Sequence, residues 1–155
     1  MAGKIDARLA ELGITLPKAS VPAGNYVPWV VSGGLAHIAG QIPFENGELR
    51  YVGKVGTDFS VEEAQACARI VGLNILAQVK AACGGDLDRV VRCVKMGGFV
   101  NCPPDFIQQP QVINGATDLF VEIFGDAGKP ARFAVGAASL PMGVAVEIDA
   151  IFEIA

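Results

Sequence analysis

The chain has 155 residues, the size of one domain with a core of its own. Hydrophobic residues make up 52% and charged residues 18%, so some apolar surface is expected to lie against other subunits. The formal net charge is −4 and no cluster of Lys and Arg occurs, which argues against nucleic acid as a partner, because phosphate contacts supply most non-specific affinity. The four cysteines, Cys67, Cys83, Cys93 and Cys102, form no CxxC pair and the single histidine is His37. No metal or other cofactor is expected from them, and they read as small buried hydrophobes of a reducing compartment. No apolar run reaches membrane-spanning length and Met1 to Asp6 is not an apolar leader, so a cytoplasmic location is expected.

Ile5, Leu9 and Leu12 predict a short amphipathic helix ending at Gly13, within an N-terminal extension over residues 1–20. Pro17, Pro22 and Ala23-Gly24 interrupt the chain. Tyr26 to Val31 then reads as a strand, Gly33-Gly34 as a turn and Leu35 to Ala39 as its partner. Asn46-Gly47 marks another turn, with Glu48 to Val52 as a third strand. Ser60-Val61-Glu62-Glu63 is a capping box. The helix behind it carries Ala64, Cys67, Ala68, Val71, Ile75, Val79 and Ala82 at helical spacing and ends at Gly84-Gly85. Its remaining side is only weakly polar, so burial on more than one side is expected.

Val90 to Val100 reads as a buried strand ended by Cys102-Pro103-Pro104. Gln108-Gln109-Pro110 opens another helix, with Val112, Ala116, Leu119, Phe120 and Ile123 inward and Gly125 at its end. Arg132 to Ala138 and Val144 to Ile154 read as two strands joined around Pro141-Met142-Gly143, an antiparallel hairpin. This order predicts a single α+β domain over 1–155, one mixed sheet with helices on one face. The other face is left open and needs a partner.

In the last predicted strand Val144, Val146, Ile148, Ala150, Phe152 and Ile154 form an apolar set, with Glu147, Asp149 and Glu153 opposite. In the preceding strand Arg132, Ala134 and Gly136 share a face. Antiparallel pairing would bring the guanidinium beside the carboxylates. One reading is a cross-strand ion pair on a solvated face. The other is a site in which Arg132 holds an anionic substrate and a carboxylate handles a proton or a water.

Pro130-Ala131-Arg132-Phe133-Ala134-Val135, Leu140-Pro141 and Val146-Glu147-Ile148-Asp149-Ala150-Ile151 together resemble the signature of the RidA (YjgF, endoribonuclease L-PSP-like) family. Ile38-Ala39-Gly40-Gln41-Ile42-Pro43 is similar to that family's Ser-Gly-Gln segment. Val112-Ile113-Asn114-Gly115 is similar to the helix segment carrying a family asparagine. The resemblance runs from about Val21 to the C-terminus. It implies a chorismate-mutase-like sandwich, a homotrimer with its sheets facing the centre, and sites in the inter-subunit clefts. It also implies hydrolysis of 2-imino and enamine acids to 2-keto acids and ammonia, without a cofactor.

Residue by residue, the resemblance makes Arg132 the anchor of the substrate carboxylate and Glu147 the group that positions water. It places Asn114 near the site, Tyr26 at its mouth, and Gln41, Ala39 and Ala134 along its lining. Two of these positions depart from the family pattern: Ala39 stands for the family serine and Ala134 for the family cysteine. The expected function is therefore a deaminase of small carboxylate-bearing imines. The alternative is a non-catalytic protein of the same fold that binds a small carboxylate. Residue by residue there are plainer readings too: Tyr26 as a strand aromatic, Asn114 as a partner of helix amides, His37 as structural. Gly53-Lys54-Val55-Gly56 lacks the spacing of a phosphate loop and reads as a mobile loop, the other reading being that Lys54 lines the cleft mouth and attracts anions.

Overall fold

The computed structural model describes residues 3–22 and 24–155, so Met1, Ala2 and Ala23 lie outside the described residues. A short helix, α1 (Lys4–Glu11), is followed by strands β1 (Trp29–Ser32) and β2 (Leu35–Gln41) and by the two-residue strands β3 (Phe44–Glu45) and β4 (Glu48–Leu49). Helix α2 (Val61–Ala82), strand β5 (Val90–Asn101), helix α3 (Gln109–Phe124) and strands β6 (Ala131–Ala137) and β7 (Val146–Ile154) complete the order. The main sheet runs β1-β2-β7-β5-β6. Only β5 and β6 are parallel; the other neighbours are antiparallel. Helix α2 lies over β2 and β7, and α3 over β5 and β6, all on one face. The mixed α+β sandwich expected from the sequence is thus what forms.

Helix α2 starts on its capping box. Ser60 Oγ accepts from the Glu63 amide, and Glu63 Oε1 accepts from the Ser60 amide, both at 3.1 Å. Its buried residues form a stripe through Ala64, Cys67, Val71 and Ile75 that widens to the whole circumference from Ile75 to Val79, because it packs against both the sheet and α3. Phe120 of α3 meets Phe152 of β7 edge to face at 5.4 Å, joining the helix layer to the central strand. Gly98 of β5 leaves room for Ile113 to rest on the sheet. All four cysteines are buried and free. Helix α1 has no side-chain cap of its own. The Asp88 carboxylate replaces it, accepting from the Lys4 and Ile5 amides at 2.9 Å, and these bonds hold its pKa below the usual range. No helix among the described residues is long and apolar enough to cross a membrane.

Three expectations are corrected. The first strand starts at Trp29, and Tyr26 and Val27 lie exposed before it. The segment Glu48–Val52 adds no strand to the main sheet. Asn46 and Gly47, with φ 53° and 80°, make a tight turn between β3 and β4, and Val52 only bridges Val144. The largest correction concerns Arg132 to Ile154, which is not a hairpin. Strand β6 pairs in parallel with β5, while β7 lies between β2 and β5. Helix α3 supplies the crossover that a parallel pair requires. The alternating apolar face of β7 is covered on the helix side from Val146 to Ile154, which a central strand achieves and an edge strand does not.

Candidate active site

The cross-strand rows decide which face each side chain takes. Arg132 is level with Met96 of β5, and Met96 with Ala150 of β7; Met96 and Ala150 are buried under the helices. Glu147 is level with Phe99, and Phe99 with Val135, and these lie on the open face. Arg132 and Glu147 therefore project from opposite faces, with β5 between their strands. Neighbouring strands sit ~4.8 Å apart, so β6 and β7 run roughly 10 Å apart. The expected pairing of guanidinium and carboxylate does not occur within one chain.

Glu147 belongs to a cleft of about 280 Å³ that also takes in Tyr26, Ala39, Gln41, Phe44 and Met142. Strand β2 bulges between Ile38 and Gln41. There the Glu147 carboxylate lies directly over Gly40, occupying the space a Cβ would fill. A Cβ at this position would push the carboxylate aside, so the glycine sets where the carboxylate lies rather than serving an unusual φ. Gln41 is 7% exposed, and its Nε2 donates to the Ala39 carbonyl at 3.0 Å, closing the bulge. Its amide shapes the cleft floor. Burial raises the Glu147 pKa, and Asp149 two residues on raises it further. A half-buried carboxyl shifted in this direction can hold or release a proton in a group beside it.

The second group stands at the β6 edge. Arg132 NH1 donates to Thr117 Oγ1 at 3.0 Å and NH2 to the Pro110 carbonyl at 3.1 Å, both on α3. Among the described residues no carboxylate forms a salt bridge with it. Burial lowers its pKa, an effect opposed by nearby Asp118. A guanidinium has five N–H donors, so three remain for a ligand. Asn114 sits between Pro110 and Thr117 on the same helix. It is the sixth residue of α3, too far in to cap the helix start. Ala134 follows two residues after Arg132 and packs against the core. Among the described residues no strand pairs with the far edge of β6.

The seven expected site residues thus fall into two groups: Tyr26, Ala39, Gln41 and Glu147 at β2 and β7, and Arg132, Ala134 and Asn114 at β6 and α3. His37 is level with Ile151 on the open face, exposed and outside the cleft. Sequence reasoning missed Gly40, Met142, Phe44 and Thr117. A glycine within a strand was an available signal for the first. Met142 gave none. Its φ of 56° follows from the turn into β7.

A five-stranded sheet backed by two helices, with a raised-pKa carboxyl in a cleft and a guanidinium at an unpaired edge, defines a class of small α+β site proteins. The chain belongs to the family described as "YjgF/chorismate_mutase-like, putative endoribonuclease", whose model matches residues 6–152. Protein TCP17 of Trypanosoma cruzi is 47% identical over 154 residues, 99% of this chain and 96% of that protein. The crystal structure of Atu1372 from Agrobacterium tumefaciens, a protein of unknown function, superposes with a TM-score of 0.90 at 50% identity, covering 97% of this chain and 92% of that one. Escherichia coli TdcF with bound serine superposes with a TM-score of 0.63 at 27% identity, covering 89% and 94%.

The raised Glu147 pKa carries a stability prediction. An acid whose folded pKa lies above its unfolded value destabilises the fold once the unfolded chain can ionise it, and the full cost is present above the folded pKa. Glu147→Gln is therefore expected to raise Tm at pH 7, with the gain vanishing below the ordinary glutamate range. Thermal melts of both proteins across pH 3–8 check this; a constant difference would contradict the assigned burial.

Proposed function

We propose that the protein is a hydrolase of small 2-imino or enamine acids, working in clefts between the subunits of a homotrimer whose sheets face the centre. The observation that carries this reading is the Glu147 carboxyl, held over Gly40 with a raised pKa and, among the described residues, no salt-bridge partner. The unpaired guanidinium of Arg132 complements it from another subunit. The open face is apolar enough to be covered: Phe99, Phe133 and Val135 expose 36%, 38% and 41% of their surface, and the two rings meet edge to face at 5.4 Å. The bound serine of TdcF, an amino acid with a carboxylate, is consistent with an anchor of the Arg132 type.

In this mechanism Arg132 takes the substrate carboxylate with its free N–H groups. Water adds to the C=N carbon while Glu147 accepts its proton. Glu147 passes that proton to the nitrogen, giving a carbinolamine, then takes the hydroxyl proton and hands it to the nitrogen as the C–N bond breaks, so that a 2-keto acid and ammonia leave. Positioning and one relay suffice because the imine is already reactive. The second reading is a carboxylate-binding protein without turnover, favoured by Ala39 and Ala134, which bring neither hydroxyl nor thiol to the cleft. RNA cleavage has less support, since Glu147, Asp149 and Glu153 line one face of β7 and disfavour a phosphate backbone.

The test is ammonia release from freshly generated 2-iminopropionate. Wild type is expected to exceed buffer. Arg132→Ala is expected to lose about 2–5 kcal/mol of transition-state binding, roughly 30- to 5000-fold in kcat/KM. Calorimetric binding of 2-oxobutyrate with no ammonia release would instead establish the binding reading.

A further inference from the structure

A second cavity, of about 670 Å³, opens between the loop before α2 and the start of α3. Lys54, Thr57, Pro103, Gln109 and Ala138 line it; Glu147 and Arg132 do not. We infer that this cavity is a binding site for a small monocarboxylate, separate from the Glu147 cleft.

The argument starts from Lys54. Its Nζ donates to Asn101 Oδ1 at 2.7 Å and to the Ala138 carbonyl. Asn101 is 3% exposed and is itself fixed, with Nδ2 donating to the Val144 carbonyl at 3.1 Å. The ammonium is therefore held in place, unlike a surface lysine that sways in water. Both acceptors are neutral. Asp58, the nearest acid in sequence, is turned to the Lys54 backbone amide at 2.8 Å. Among the described residues no carboxylate forms a salt bridge with Nζ. A lysine has three N–H donors, so one remains, and the full charge stays at the cavity wall.

A purely structural staple between the loop and the strand ends would work with a neutral donor. A fixed cation whose partners are all neutral offers an anionic ligand a charge-assisted bond that no group of the chain already takes. Helix α3 begins on the same wall, and its Gln108 N-cap makes no side-chain bond, so its positive end adds to the potential. One ammonium suits a single negative charge better than a phosphate dianion. Pro103, Pro104 and Ala138 offer apolar contact to a short carbon chain.

The probe is butyrate, followed by amide chemical-shift perturbation on the full-length protein. Shifts at Thr57, Gln109 and Ala137 to Ala138 that saturate, and that vanish in Lys54→Met, are expected. Thr57→Phe fills the cavity mouth with the lysine bonds intact, and is also expected to abolish them. This variant stands in if Lys54→Met fails to fold. Absence of shifts at these amides, their persistence in either folded variant, or equal saturation by inorganic phosphate would overturn the inference. Shifts confined to Gly40, Arg132 and their neighbours would overturn it too, while leaving the proposed deaminase site intact.

Discussion

Arg132→Ala and Glu147→Gln chains, unfolded together and refolded as a one-to-one mixture, are expected to recover about a quarter of wild-type ammonia release. Each variant alone is expected to stay near background. The reason is geometric. Within one chain Arg132 lies under the helices at the β6 edge and Glu147 on the open face of β7. If each cleft takes the arginine from one subunit and the glutamate from its neighbour, half of the edges and half of the faces are intact after random assortment. Their chance coincidence restores about one cleft in four. A site contained in one chain would show no recovery, because every chain in the mixture carries a lesion. Activity no higher than the mean of the two variants would thus sink the shared-cleft reading. Wild-type chains unfolded and refolded in the same way are the control for refolding itself.

Gly115→Ala is expected to destabilise the fold by about 2–3 kcal/mol, a Tm loss of roughly 5–10 °C for a chain of this size. A Cβ at Gly115 would press into the Gln65 carbonyl oxygen, with the Gln65 Cα 3.0 Å away. These are backbone atoms of α2, so no rotamer change relieves the clash, and α2 and α3 must separate. Alanine's better helix propensity returns at most about 1 kcal/mol, which the overpacking exceeds. Asn114→Ala, one residue earlier and half-buried, is expected to leave Tm nearly unchanged. Thermal melts of the two variants decide the matter; a Gly115→Ala protein as stable as wild type would show that the helices slide apart freely.

The capping box at Ser60, the alternation of β7 and the helical spacing in α2 and α3 were all legible because they depend on neighbours in sequence. A Ser three residues before a Glu, or apolar residues at every second place, carry their physical consequence locally. Strand pairing does not. Arg132 to Ala138 and Val144 to Ile154 look like a hairpin because they are adjacent in the chain. The crossover through α3 and the burial demanded by β7 place β5 between them. The signal was present in the helix-containing connection from β5 to β6, which reads as a parallel unit. Likewise Tyr26 has a strand-like neighbourhood but falls short of the sheet, while its place at the cleft emerges only when β2 and β7 are docked.

Residue pattern alone was enough for the family and the layered α+β class, and it singled out Arg132 and Glu147 as candidates for chemistry. Only the tertiary structure decided that these two stand on opposite faces, that Gly40 makes room for the carboxylate, and that Lys54 is fixed at a second cavity. The physical reason is that residue type and spacing set local conformation, whereas face, depth and neighbour depend on which strand inserts beside which. That choice is made by burial across the whole sheet.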